Sequence, residues 1–516
     1  RVCKLRKVIL ATVLSFSIVG CMPSTMVPDL KTVVQSTSPS TITSVMPSVS
    51  QTVTATPSTI VEPTPVTSSS AITTPIVTTS PTIKEEIKTP LNIGINKVYD
   101  NISSGLSTLP DNEIQRIEED LTLLNPSFIA IELNQKIVDS NYQGKDYFTW
   151  KYYDKMMDYL RKKNVDVFFT IKFDKIINNK STPTDTHQEE FIIEAIKRYS
   201  FEENKVSWII GEKINDIGSS IGTQRDYINY LDRISKLIKK NDSSAKVYAG
   251  TISQGEVFGK DYIETNENLL SYLNMGIQNF VDGFVFENYF LSVNTYYLAD
   301  NTLQFSGLNY KSLNSYYTSI KELLLKNGIK DKELILKTGT FGGETIEKVR
   351  QEEVEQGNEN FKAFVYSKVL GFDKVMIDRF YDVDSNNAQE FLSRTGLIKV
   401  YGDSYTKKDS YWSFKFLTDK LNGAMFKEAI TGLPSNLEGY IFKKDNKNYY
   451  IVWNNNKDFK DNISISIKEK SGTAYYSANQ ISTLGSSIEF QTPASGKYTI
   501  NFALDNLSPK ILETVD

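Results

Sequence analysis

Eight short runs of almost unbroken apolar residues, each followed by an amphipathic stretch, constrain this chain more than any other feature. They are LNIGIN (91–96), SFIAIEL (127–133), VDVFFTIKF (165–173), VSWIIG (206–211), AKVYAGTI (245–252), VDGFVFEN (281–288), ELILKTG (333–339) and KVMIDRFY (374–381). A strand that is apolar on both faces belongs in a parallel sheet covered by helices. The intervening stretches, such as YYDKMMDYLRKKN, RDYINYLDRISKLIKKN and LNSYYTSIKELLLKNG, space apolar residues three and four apart and end in Asn or Gly, as helices do. Eight such units predict an α/β fold, a (β/α)8 TIM barrel over residues 89–426, in preference to an open doubly wound sheet. No G-x-G-x-x-G follows the first run, which disfavours a dinucleotide site.

From residue 427 to 516 the pattern changes to short alternating runs, among them LEGYIFKKDNKNYYIVWNN, NISISIKEK and KYTINFAL. These predict a small all-β sandwich domain packed against the barrel. Trp453 is expected in the sandwich core. Trp150, at a helix start, is expected to be core rather than a sugar platform.

The first 21 residues read differently. Arg1, Lys4, Arg6 and Lys7 precede an apolar run from Val8 to Val19, then Gly20 and Cys21, the layout of a secretory signal. The run is too short for a comfortable membrane span. Its end, SIVGC, resembles the lipobox of bacterial lipoproteins, which implies lipidation of Cys21 and an anchor at the bacterial cell surface. Cys3 and Cys21 are the only cysteines, so no disulfide framework or Cys/His metal site is expected. No cofactor is expected either. Residues 22–88 are rich in Ser, Thr, Pro and Val, with no glycine and no aromatic, and predict a disordered, extended linker. With a formal net charge of -4, the chain offers no basic field for nucleic acid.

The chemistry of a barrel sits at the C-terminal ends of its strands. Those ends carry Asn96, Glu132, Glu212, Glu287, Asn288, Tyr289, Lys337, Asp378 and Tyr381, a polar and acidic rim. His187 is the single histidine, so a Ser-His-Asp triad is disfavoured. Carboxylate chemistry remains, and its most familiar use is glycoside hydrolysis.

The order of segments also resembles a family. VSWIIGEKINDIGSS, NFVDGFVFENYF, KELILKTGTFGG, ENFKAFVYSKVLGFDKVMIDRFYDVD and YWSFKFLTDKLNGA are similar to the fourth, sixth, seventh and eighth strands and the closing helix of clan A glycoside hydrolases. The resemblance implies a sugar substrate, with Glu212 at the acid/base position and Lys337 where the family has its nucleophilic glutamate. Gly211 stands where the family has asparagine, and Glu287 at a histidine position. Retaining hydrolysis needs two carboxyl groups about 5–5.5 Å apart, and a lysine cannot attack the anomeric carbon in that mechanism. Its ammonium would also lower the pKa of a nearby Glu212 and weaken it as an acid. Three readings stay open. In the first, the barrel binds polysaccharide without cutting it, with Lys337 paired to Glu212 or Glu287. In the second, Glu287 supplies the second carboxylate of an active glycosidase, at a wider separation suited to inversion. In the third, the barrel is structural or adhesive. Asn96, Glu132, Asn288, Tyr289, Lys337, Asp378 and Tyr381 are the expected sugar-contacting residues.

Overall fold

A computed structural model describes residues 89–99, 110–171, 185–200, 206–214, 223–253, 263–290, 296–297, 304–305, 310–340, 349–382, 395–401, 404–455, 461–475, 487–502 and 508–515. The signal, Cys21 and the linker to residue 88 lie outside the described residues, as does the side chain of Tyr289.

The eight apolar runs form eight parallel strands: β1 (Asn92–Ile95), β2 (Phe128–Glu132), β3 (Asp166–Ile171), β4 (Val206–Ile210), β5 (Lys246–Ser253), β6 (Gly283–Phe290), β7 (Glu333–Thr340) and β8 (Lys374–Ile377). They close into a barrel in the order β1-β8-β7-β6-β5-β4-β3-β2. Each strand is followed by a helix: α1 (Asp111–Leu124), α2 (Lys151–Lys163), α3 (Asp185–Tyr199), α4 (Gln224–Asn241), α5 (Ile263–Asn274), α6 (Tyr310–Lys326), α7 (Val349–Leu370) and α8 (Asp409–Phe416). The (β/α)8 expectation therefore holds. Local chemistry sets the helix ends. Thr223 and Asp226 form a reciprocal capping box at the start of α4, and Asn125 and Asn164 take the left-handed conformation that ends α1 and α2.

Side chains on a strand alternate, so every second residue points into the barrel. One interior layer consists of Phe128, Ala130, Phe168, Ile209, Tyr248, Val285, Ile335 and Met376. Below it, at the floor, Glu333 accepts a hydrogen bond from Tyr248 at 2.8 Å and pairs with Lys374 at 2.5 Å and with Lys246. Burial works against its charge, but these partners win and hold its carboxyl down to about 2. Above the apolar layer, two residues further along each strand, stand Glu132, Thr170, Glu287, Lys337 and Asp378. The alternation thus builds a polar ring on an apolar floor.

Eight further strands follow: β9 (Met425–Ala429), β10 (Leu437–Lys444), β11 (Lys447–Asn454), β12 (Asn462–Ser466), β13 (Ser471–Tyr475), β14 (Ser487–Gln491), β15 (Lys497–Asn501) and β16 (Lys510–Val515). Six pair as β9-β10-β11-β16-β13-β14, and β12 pairs with β15. One face of the larger sheet, with Leu437, Tyr450, Val452 and Leu512, packs on Ile463, Ile465 and Ile500 of the smaller one. Its other face carries Phe442, Tyr449, Ile451, Trp453 and Ile511, which join the core of the barrel. Trp453 is therefore not in the core between the two sheets. It lies against Tyr440, with ring centroids 5.2 Å apart, on the face turned to the barrel. The seam is tied by Leu91 N–H donating to Ala424 at 2.8 Å and by the Lys420–Glu513 pair at 2.7 Å. Trp150 is core, stacked on Phe191 with centroids 5.3 Å apart.

Candidate functional site

The ring at the top of the barrel is organised by Lys337. Register pairs it with Glu287 on β6 and Met376 on β8. Its side chain is 2% exposed, and its ammonium lies 2.8 Å from Glu287 Oε2, 3.0 Å from Glu212 Oε1 and 3.1 Å from Asp378 Oδ1. Burial alone would depress a lysine pKa, but Asp378, then Glu287 and Glu212, outweigh it and hold Lys337 well above its ordinary value. The same balance acts in reverse on Asp378. Burial favours its neutral form, yet Lys337, Lys97 and Arg379 keep its carboxyl below the usual range.

Strand geometry explains how each group arrives. Asp378 follows the last residue of β8, and its N–H donates to Thr338 at 2.7 Å, so the strand path continues one step and turns its side chain inward. Asn96 extends β1 likewise through its N–H to Ile377 at 2.9 Å, and its amide lies 3.5 Å from Asp378 Oδ1. Glu212 leaves β4 through Gly211, which has φ 92°. Gly250 on β5 presses against that turn, because a Cβ there would sit 2.3 Å from the Gly211 carbonyl oxygen. The close β4–β5 approach thus fixes where Glu212 begins.

Lys97 is the residue that sequence reasoning missed. Its ammonium is 3.1 Å from Glu212 Oε1, the oxygen that Lys337 also touches. It stands just past β1 with φ 52°, the left-handed region, and Lys213 beside Glu212 has φ 50°. Non-glycine residues there carry strain that the surroundings must offset. Asn96, Lys97, Glu132, Thr170, Glu212, Thr251 and Lys337 line a pocket at the mouth with a cavity of about 10 Å³, roughly the space of one water.

The remaining expected site residues fall elsewhere. Asn288, fully buried, follows the inward Glu287 and so points outward, to the helix layer. Tyr381 packs in the core against Phe380 and Tyr405, with centroids 4.7 and 5.7 Å away. His187 sits outside the ring, with Nδ1 3.2 Å from Glu190.

Oxygens of Glu212 and Glu287 that lie 3.0 and 2.8 Å from one nitrogen are at most about 5.8 Å apart.

Comparison with solved structures places the architecture. A family 39 glycoside hydrolase from Bacteroides cellulosilyticus WH2 superposes with a TM-score of 0.59 at 14% identity, over 83% of this chain and 81% of that one. A glucosidase from Croceicoccus marinus gives 0.58 at 13% identity, over 84% and 97%. A monomeric beta-xylosidase from Caulobacter crescentus CB15 gives 0.55 at 13% identity, over 83% and 98%. The chain has the fold of these glycoside hydrolases. The clan A resemblance in the sequence thus has its counterpart in three dimensions, barrel and β-domain together. No family model and no curated protein matches the chain.

Proposed function

We propose that this glycoside-hydrolase-like barrel holds polysaccharide without cleaving it, at a bacterial cell surface, on a lipid attached to Cys21 and a spacer of residues 22–88. One observation carries the reading. Where the family resemblance has its nucleophilic carboxylate, a buried ammonium binds Glu212, Glu287 and Asp378 together. An ammonium between the carboxylates lies where the anomeric carbon of a cleaved sugar would have to stand. It would also oppose the positive charge of an oxocarbenium-like transition state.

An active glycosidase built on Glu212 and Glu287 is the second reading, because both carboxylates reach the same point in the mouth, within 3.0 Å of one ammonium. It requires Lys337 to withdraw from a position that is 2% exposed. A purely adhesive barrel is the third.

Reducing-end-labelled polysaccharides separate the three. The expected result is retention of glycan by the parent protein with no release of labelled product. Turnover that disappears in Glu212→Gln would replace this reading with the second. Neither binding nor turnover across cellulose-, xylan- and β-glucan-type panels would favour the third.

A further inference from the structure

A second polar groove lies on the flank of the barrel, between α1 and the antiparallel hairpin formed by Ile398–Tyr401 and Ser404–Lys407. Its cavity of about 500 Å³ falls within the roughly 300–1,000 Å³ typical of small-ligand sites. None of its lining residues lines the pocket at the mouth.

The groove is built in layers. At its base Asp120, 5% exposed, accepts a hydrogen bond from Tyr411 at 2.9 Å and pairs with Lys407 at 2.7 Å. On one wall the Arg116 guanidinium lies 3.6 Å above the centroid of the Tyr405 ring. Behind that wall Nη1 of Arg116 and the hydroxyl of Tyr381 are buried and have no hydrogen-bond partner among the described residues. The Tyr405 ring touches both residues. Leu123, 37% exposed, adds an apolar edge.

The geometry points to a second saccharide site, which takes one neutral sugar unit of a glycan chain. Charge decides the class of ligand. Arg116 and Lys407 are set against Asp120 and Glu119, so the groove has no surplus of either sign with which to select a phosphate or a uronate. It offers donors and acceptors side by side with an apolar edge, which suits a polyhydroxylated ring. This inference rests on the glycan-binding reading above only for the class of ligand.

Saturation-transfer NMR and titration of the full-length protein with cellobiose and with xylobiose test it, beside Arg116→Gln, Leu123→Asp and the mouth variant Glu212→Gln. Leu123→Asp alters a partly exposed helix position, so it leaves the core intact if Arg116→Gln disturbs folding. The expected outcome is two binding events in the parent, one of which weakens at least tenfold in both groove variants and persists in Glu212→Gln. A single event, abolished at the mouth and untouched in both groove variants, overturns the second site and leaves the main reading standing. Absence of any disaccharide binding overturns the second site, and the polysaccharide panels decide the main reading separately.

Discussion

Replacing Lys337 by methionine, which preserves length and removes the charge, tests the electrostatic account most directly. Removing one partner of a buried ion pair costs about 3–5 kcal/mol, because a charge is left in a poor solvent. Three carboxylates lose a partner here, but the cost does not triple. Lys97 still touches Glu212 at 3.1 Å, and Arg379 lies 3.5 Å from Asp378. At about 2 °C per kcal/mol, the low end for domains larger than 150 residues, the midpoint should fall by roughly 6–10 °C at pH 7. The sign of the pH dependence follows from the shifts. Lys337 is held above its ordinary value, so its contribution is complete below about pH 10.4 and is lost as pH rises through its folded pKa. Asp378 is held below its ordinary value, so its contribution is complete above about pH 3.9 and is lost as pH falls through its folded pKa. These two contributions should therefore stay constant between those limits. In the variant the buried carboxylates must take up protons to relieve their charge, so its deficit should be widest near neutrality and narrow toward pH 4. Thermal unfolding followed by circular dichroism from pH 4 to 9 measures this. A variant that melts with the parent at pH 7, or whose deficit does not change with pH, would refute the account.

Lys337→Glu alone should fail to create a hydrolase, since it sets another carboxylate beside Glu287 and Asp378; it should melt no higher than Lys337→Met. The triple variant Lys337→Glu/Glu287→Gln/Asp378→Asn restores the charge balance, and slow turnover with retained anomeric configuration, read by NMR of the released sugar, is expected only there. At the floor, Glu333→Gln should flatten the acid limb of the stability curve. The carboxyl sits at about 2, so its contribution, roughly 1–2 kcal/mol after allowance for its 25% exposure, is present above about pH 4.3 and lost as pH falls toward 2. Urea unfolding at pH 2.5, 4 and 7 checks it, and an unchanged slope would sink it. Gly250→Ala should cost at least about 1–3 kcal/mol, because its Cβ meets backbone that cannot swing aside, and should weaken glycan retention through Glu212; an unshifted urea midpoint would contradict this.

Much of this architecture was legible in the chain. Eight apolar runs with helical stretches between them specify a barrel because few arrangements bury both faces of so many strands. The importance of Lys337 was legible too, since a lysine two residues beyond the interior Ile335 must face into the ring. The same alternation was available to exclude Asn288, whose neighbour Glu287 already points inward. Other features carry no period. Lys97 lies one step past a strand, on a turn with positive φ, and nothing in NIGINK reveals that its ammonium returns to Glu212. In KNYYIVWN both faces are apolar, because one meets the second sheet and the other meets the barrel, so sequence could not assign Trp453 to a side. Tyr381 ends an apolar run like a rim residue, and only the hairpin folding back against it explains its place in the core.

On the proposed reading, charge rather than a shortage of carboxylates keeps this mouth from cleaving glycan. Acid–base catalysis works best when a group titrates near the working pH, which demands that burial and neighbouring charge leave its two forms close in energy. The pairing of Lys337 with Asp378 does the opposite. The pKa of Lys337 is driven up while that of Asp378 is driven down, so each is displaced away from neutrality and locked in its charged form. A second ammonium, from Lys97, stands 3.1 Å from Glu212 Oε1. Acidic side chains are therefore plentiful, and on the proposed reading their number is not what separates this site from a hydrolase. The ammonium in their midst keeps Asp378 charged and stands 2.8–3.1 Å from all three carboxylates, which on that reading is why neutralising Glu287 and Asp378 must accompany any attempt to set a nucleophile at position 337.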